Sequence, residues 1–216
     1  MGDKVACAGV GYANHAEIVS VPINLCVKLE NEANLKDAAY NTLGAISMQG
    51  VRQADMRLGE SCVVIGLGLL GQLAALILKA SGVTVIGIDV SEAAVKKAVD
   101  NNVVDLGLTR NAAGVEEQIQ NATNGYGADA VIIAAATPSL DPINFAGAIA
   151  RKKGKVIVLN FWFIQCKPCV AEFVENDKIK DMLKLIGVNY VQGYAIDKPM
   201  LINDILVDFG GMKSSE

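Results

Sequence analysis

Three glycines and one acid carry the strongest chemical signal in the chain. Gly66, Gly68 and Gly71 stand in G-x-G-x-x-G spacing, and Asp89 follows eighteen residues after the last of them. Each has a mechanical use in holding a dinucleotide. Gly66 permits a tight turn, Gly68 lets the backbone approach a pyrophosphate, and Gly71 brings a helix close to a strand. The amides of the first helical turn, at Leu69 and its neighbours, and the positive helix end would then hold the phosphates. The Asp89 carboxylate would accept hydrogen bonds from the adenosine ribose hydroxyls. S-adenosylmethionine methyltransferases also place glycines after a first strand and an acid after a second, and a glycine-rich structural turn is the plainest alternative. A second chemical pair is Cys166-Lys-Pro-Cys169, a C-x-x-C. A thiol at a helix N-terminus gains thiolate character from the backbone amides and the helix dipole. The plain reading is two thiols that merely sit side by side.

The remaining cysteines and the one histidine read differently. Cys7 and Cys26 lie inside apolar strand patterns and read as small buried hydrophobes. His15 has no cysteine or second histidine near it in sequence and reads as a turn or surface residue, not a zinc ligand.

The elements around the glycines suit their use. Val63, Val64 and Ile65 form an all-apolar, β-branched run, the signature of a strand buried on both faces. Leu69, Leu73, Leu76, Ile77 and Ala80 then recur at spacings of three and four, and a second strand over 83–88 leads to Asp89. Upstream, residues 2–29 read as short strands with turns at Gly9–Gly11 and Pro22, and 35–53 as a helix weakened by Gly44 and Gly50. Downstream, Ser91 is placed to cap a helix with Glu92 in its first turn. Further strands are expected at 103–108, 129–135, 155–161 and 188–193, with helices between them. Repeated β-α units with right-handed crossovers give an α/β fold, a doubly wound parallel sheet.

Bulk composition agrees. In 216 residues, 52% are hydrophobic and only 5% aromatic, so the core is built from Val, Ile, Leu and Ala, as a helix-covered parallel sheet requires. The net charge of −4, with no basic cluster beyond Arg151-Lys152-Lys153, argues against nucleic acid as a partner. No segment has the length of apolar run that a membrane helix needs, and the N-terminus carries no signal-peptide pattern. Five cysteines, an odd number, fit a reducing compartment, and cytoplasmic residence is the expectation.

Residues 2–159 resemble the zinc-type (medium-chain) alcohol dehydrogenase superfamily, and within it the zinc-binding-dehydrogenase-like members. The matching stretches are GDKVA at 2–6, AEIVSVP at 16–22, LKDAAYNTLGAISMQGVRQA at 35–54, LGESCVVIGLGLLGQLAALILKASGVTVIGIDVSE at 58–92, GYGADAVIIAAAT at 125–137 and RKKGKVIVL at 151–159. The resemblance implies a GroES-like catalytic domain joined to a Rossmann domain, and hydride transfer with NAD(H) or NADP(H). Carried over, Gly66, Gly68, Leu69, Gly71 and Asp89 are the cofactor positions, and Ala134–Ala136 lie near the nicotinamide. Asp89 favours NAD over NADP, because its charge would face the additional phosphate. The family's zinc-binding Cys and His-Glu positions precede its GDKVA-like segment and have no counterpart in this sequence. No metal ligand and no catalytic acid is therefore nominated, no zinc is expected, and turnover by this chain alone is not expected.

Two shorter resemblances follow. VIVLNFWFIQCKPCVAEF at 156–173 resembles the active-site segment of thioredoxin-like thiol-disulfide proteins, which implies attack by Cys166 and resolution by Cys169. AEFVENDKIKDMLKLIGVNYVQGYAIDKP at 171–199 resembles the end of an EAL cyclic-di-GMP phosphodiesterase domain, which would set Glu175 and Gln192 near a metal and phosphate site. The EAL tripeptide and the upstream acidic ligands of that family are missing. The joints coincide with shared strings, so a composite chain is one expectation. The expected organisation is a partial GroES-like remnant at 1–52, a Rossmann-like domain at 53–208 whose part from about 160 is composite, and a polar tail at 209–216.

Overall fold

A computed structural model describes residues 2–159 and two short backbone segments, Tyr190–Val191 and Met200–Leu201. Near the N-terminus, β1 (Val5–Cys7) and β2 (Cys26–Lys28) pair antiparallel. Two helices follow, α1 (Leu35–Ala38) and α2 (Asn41–Ala54). The helix expected over 35–53 is thus interrupted at Ala39 and Tyr40. The Asn34 side chain caps α1 through the Lys36 amide, and α1 closes within about a turn.

The body of the chain is a β-α alternation: β3 (Ser61–Ile65), α3 (Leu69–Ala80), β4 (Thr84–Asp89), α4 (Glu92–Asp100), β5 (Leu106–Thr109), α5 (Val115–Ala122), β6 (Ala128–Ile133), α6 (Asp141–Ile149) and β7 (Ala150–Val158). The five strands form one parallel sheet in the order β5-β4-β3-β6-β7. This is the doubly wound, Rossmann-like arrangement expected. The chain first winds outward from β3 to β5, then returns to lay β6 on the other side of β3.

The β3 pleat shows how the sheet divides the core. Cys62 and Val64 face a layer made by Ala74, Leu78, Val95 and Ala98, with Val51 and Ala54 of α2. Val63 and Ile65 face the opposite layer of Ile119, Ile143, Phe145 and Ile149. All four β3 residues are essentially inaccessible, which explains why the sequence there is apolar without alternation. Helix α2 joins the first layer through two close fits. Gly50 packs under the Leu159 side chain, where a Cβ would lie 3.1 Å from a methyl carbon. The buried Ser47 hydroxyl donates to the Leu70 carbonyl in the first turn of α3 at 3.1 Å.

Three element boundaries depart from expectation. The third strand starts at Leu106, because Val103 belongs to the turn that ends α4, its amide bonded to the Ala98 carbonyl. Strand β7 begins at Ala150, four residues before Gly154. Its register against β6 slips between Ala128 and Ala130, where Lys153 takes a left-handed φ of 64°. The strand expected at 188–193 is not a sixth member of the sheet: β8 (Tyr190–Val191) pairs antiparallel with β9 (Met200–Leu201) in a separate ladder.

Candidate functional site

The direction of winding reverses between β3 and β6, which makes the carboxyl ends of these strands the topological switch point of the sheet. In open α/β sheets this is where ligands sit. The turn after β3 and residues 134–137 after β6 flank that point. The Gly66 amide donates to the Ile88 carbonyl, which ties the turn to β4, and the Ala134 amide donates to the Ile65 carbonyl, which ties the segment after β6 to the end of β3, each at 2.7 Å.

The three glycines are not equivalent. Gly66 has φ +95°, and a Cβ there would come within 2.8 Å of the Ala135 amide nitrogen and 2.9 Å of the Ala134 carbonyl carbon. A Cβ on Gly71 would overlap the Gly66 carbonyl oxygen, at 1.8 Å. The fold itself demands both glycines, one for the turn and one for the helix-on-strand approach. Gly68 is different. Its φ is an ordinary −67°, and a Cβ would meet nothing within 4 Å. Among the described residues, no side chain caps that end of α3. The first-turn amides have no partner within a helix.

Asp89 closes the site from β4. One carboxylate oxygen accepts the Leu67 amide at 2.7 Å, and the other accepts the Ser91 amide at 2.8 Å. The carboxylate is therefore fixed against the glycine turn, with lone pairs left over for an outside donor. Leu67 itself is buried against Gly87 and Val104, which anchors the turn from below. The Gln72 side-chain amide donates to the Leu67 carbonyl at 2.7 Å. As expected, Ser91 caps α4, its hydroxyl accepting the Ala94 amide.

Sequence reasoning passed over two residues at the rim. Arg110 follows β5, and its backbone amide donates to the Asp89 carbonyl at 2.8 Å. Its guanidinium binds both oxygens of Asp141, at 2.6 and 3.0 Å, and lies 4.0 Å over the Phe145 ring. Asp141 sits in the first turn of α6, where a carboxylate is favoured by the helix dipole. The signal available was Asp141-Pro142 as a helix start; nothing local linked it to an arginine thirty-one positions earlier.

The other candidates fall elsewhere. Cys166, Cys169, Glu175 and Gln192 lie outside the described residues. His15 is exposed in a bend. Cys62 is buried, and burial pushes its thiol up to about 12, so it is a packing residue. Among the described residues, no cluster of three or more His, Cys, Asp or Glu side chains is placed to hold a metal ion. Those residues do not fit a zinc site. Among them, too, no helix is long and apolar enough to cross a membrane.

A profile described as zinc-binding dehydrogenase matches residues 70–199. The NAD-dependent alcohol dehydrogenase of Sulfurisphaera tokodaii is 31% identical over 189 residues, 86% of this chain and 53% of that protein. The crystal structure of 2R,3R-butanediol dehydrogenase from Bacillus subtilis superposes with a TM-score of 0.61 at 21% identity, covering 91% of this chain and 52% of that one. The chain spans about half the length of these relatives. A 30-residue stretch is 67% identical to a cyclic di-GMP phosphodiesterase of Shewanella oneidensis, 14% of this chain and 4% of that protein.

Proposed function

The chain belongs to the zinc-binding dehydrogenase family, and from that membership we propose that it binds a nicotinamide dinucleotide at the switch point between β3 and β6. In this reading it is the cofactor-holding part of an alcohol-dehydrogenase-like oxidoreductase, with residues 53–208 as the binding domain, 1–52 as part of a catalytic domain and 209–216 as a tail. The observation that carries it is that a Cβ on Gly68 would meet no atom of the described residues within 4 Å, while the glycines on either side are required by packing. A turn glycine with no structural need for its missing side chain is what close approach of a pyrophosphate would use.

The roles follow from position. The amides of Leu69 and its neighbours hold the phosphates at the helix N-terminus. Asp89 accepts from the adenosine ribose hydroxyls, already oriented by Leu67 and Ser91. Ala134 to Ala136 bound the nicotinamide end. When bound, the nicotinamide supplies hydride acceptance or donation; this chain's described residues bind and orient it. NAD is favoured over NADP on two counts. A carboxylate faces the ribose, and the neighbouring Arg110 guanidinium is engaged by Asp141 and Phe145 instead of standing ready for a phosphate.

Calorimetric titration with NAD(H) tests the reading. Saturable binding that Gly68→Val abolishes supports it, and no binding at millimolar cofactor, or binding unaffected by that substitution, defeats it. In this reading no alcohol oxidation is expected from the chain alone.

The 67% identity to a phosphodiesterase over 30 residues favours a second reading, of how the chain is put together. We propose that residues beyond about 160 are composite in origin. A tryptic peptide spanning 155–178 in protein from the native source supports a single natural chain; a genomic copy with intact dehydrogenase homology through that region ends the idea.

A further inference from the structure

Cys7 and Cys26 face each other directly across the β1–β2 ladder. The expectation of two small buried hydrophobes accounts for neither their pairing nor their exposure. The Ala8 amide donates to the Leu25 carbonyl and the Leu29 amide to the Lys4 carbonyl, so Ala8–Leu25, Lys4–Leu29 and, by alternation, Ala6–Val27 are the hydrogen-bonded pairs. Cys7 and Cys26 therefore form a non-hydrogen-bonded pair, the kind whose Cα atoms approach to about 4.5 Å. That lies at the short end of the span a disulfide bridges, about 4.4–6.8 Å. Their sulfurs are 3.5 Å apart, and both residues are half-buried. Cys62, by contrast, is sealed in the core.

We propose that Cys7 and Cys26 form a reversible cross-strand disulfide, closed by exchange with a low-molecular-weight disulfide of the glutathione type. The thiolate of one cysteine attacks a sulfur of glutathione disulfide. That S–S bond breaks, one glutathione leaves as thiolate, and a mixed disulfide forms on the protein. The second cysteine, deprotonated by solvent, attacks the protein sulfur of the mixed disulfide and expels the second glutathione. Two protein thiols are oxidised, one disulfide is reduced to two thiols, and the two protons end on the released glutathiones. The bond would tie residue 7 to residue 26 across the turn at Gly9–Gly11. Both cysteines are partly exposed, and an exposed disulfide is among the more readily reduced, so it opens again in excess thiol. In the reduced pair, the hydrogen bond with Cys7 and then burial push the Cys26 thiol up, which holds its proton until exchange begins.

The test is to incubate the full chain with excess oxidised glutathione, alkylate, and cleave after Glu17, inside the bridged segment. The expected result is two fragments, one with Cys7 and one with Cys26, that remain joined and lose the mass of two hydrogens. They should separate on transfer to excess reduced glutathione. Cys7→Ser should leave Cys26 carrying a glutathione adduct, because the first exchange then has no resolving thiol. The same link must form in Cys166→Ser/Cys169→Ser, and its loss there would overturn the proposal. Separate adducts on both Cys7 and Cys26, no reaction at either, or a link that survives excess reduced glutathione would each overturn it as well.

Discussion

Substituting Gly68 and Gly71 by alanine separates what the glycine turn does for the fold from what it does for a ligand. At Gly71 the added Cβ would sit 1.8 Å from the Gly66 carbonyl oxygen, and the obstacle is backbone, not the end of a flexible side chain. Strand and helix would have to part by roughly 1 Å or more in a layer packed like a crystal. Overpacking of this sort costs about 1–3 kcal/mol and more when backbone must move. Against a total stability of about 5–15 kcal/mol, Gly71→Ala is expected to lose 3 kcal/mol or more, on the order of a third of the whole. At Gly68 the same methyl group meets nothing within 4 Å, and φ is −67°. The gain from a stiffer unfolded chain, about 0.4–1 kcal/mol, is offset by alanine's poorer fit at an N-cap, of similar size. Gly68→Ala should therefore leave stability within about 0.5 kcal/mol of the parent.

Binding should respond in the other order. A methyl at Gly68 holds a phosphate away from the first-turn amides, and each hydrogen bond to a charged group is worth about 1.5–3 kcal/mol. Weakening one such bond predicts a loss of tenfold or more in NAD(H) affinity, since about 1.4 kcal/mol is tenfold. Urea unfolding followed by circular dichroism measures the stability arm, and calorimetry at a urea-free reference point measures the other. Gly68→Ala with unchanged stability and affinity within twofold of the parent would refute the cradle. Gly71→Ala with parental stability would refute the packing argument.

Three further outcomes follow from the same geometry. Asp89→Ser removes the charge that would face the ribose in the proposed site and should narrow the expected preference for NAD over NADP by about tenfold, read from paired affinity measurements; an unchanged ratio would remove Asp89 from the selectivity argument. Asp129 ties β3 to β6 by accepting the Ser61 amide and hydroxyl and pairing with Arg151. Burial opposes its ionisation, but those hydrogen bonds win and hold it below the usual carboxylate range. With a folded value below the unfolded one of about 3.9, its contribution is present above that pH and is lost as pH falls through the folded value. Urea midpoints should drop through this window in the parent and flatten in Asp129→Asn, which should also lose about 1–3 kcal/mol near neutrality; equal slopes would discount the ion pair. Cys62, with its thiol pushed up to about 12, should resist iodoacetamide at pH 8 until urea is added, and alkylation at the rate of Cys7 would show that the core opens there.

What could be read before the structure was whatever repeats locally. The apolar β-branched run at Val63–Ile65 and the three-and-four spacing of Leu69 to Ala80 placed β3 and α3 to within a residue or two. Ser91 announced its own helix, because capping acts across three residues. Contacts that join distant positions left no local trace. The Arg110–Asp141 pair spans thirty-one residues and the Ser61–Asp129 bonds sixty-eight, and only the crossover topology brings them together. The slip in β7 coincides with a left-handed Lys153 beside Gly154, a conformation that lysine's own preference does not announce. Cys7 and Cys26 were each legible as strand residues, yet their register depends on how the intervening segment turns.

The site and the fold share the same few atoms, and this bears on how the chain would discriminate its ligand. Asp89 secures the glycine turn through Leu67 while offering its remaining lone pairs outward, so selectivity needs no loop that must order on binding. Gly66, Gly71 and Gly87 are spoken for by backbone and side-chain contacts inside the protein. Of the three glycines in the turn, Gly68 is the one whose added Cβ would meet no described atom within 4 Å. A turn already held rigid around it reduces the ordering cost that binding would otherwise carry. It follows that changes at Asp89 should move stability and selectivity together, whereas changes at Gly68 should move binding alone, and that difference is the mark of a cradle as opposed to a turn.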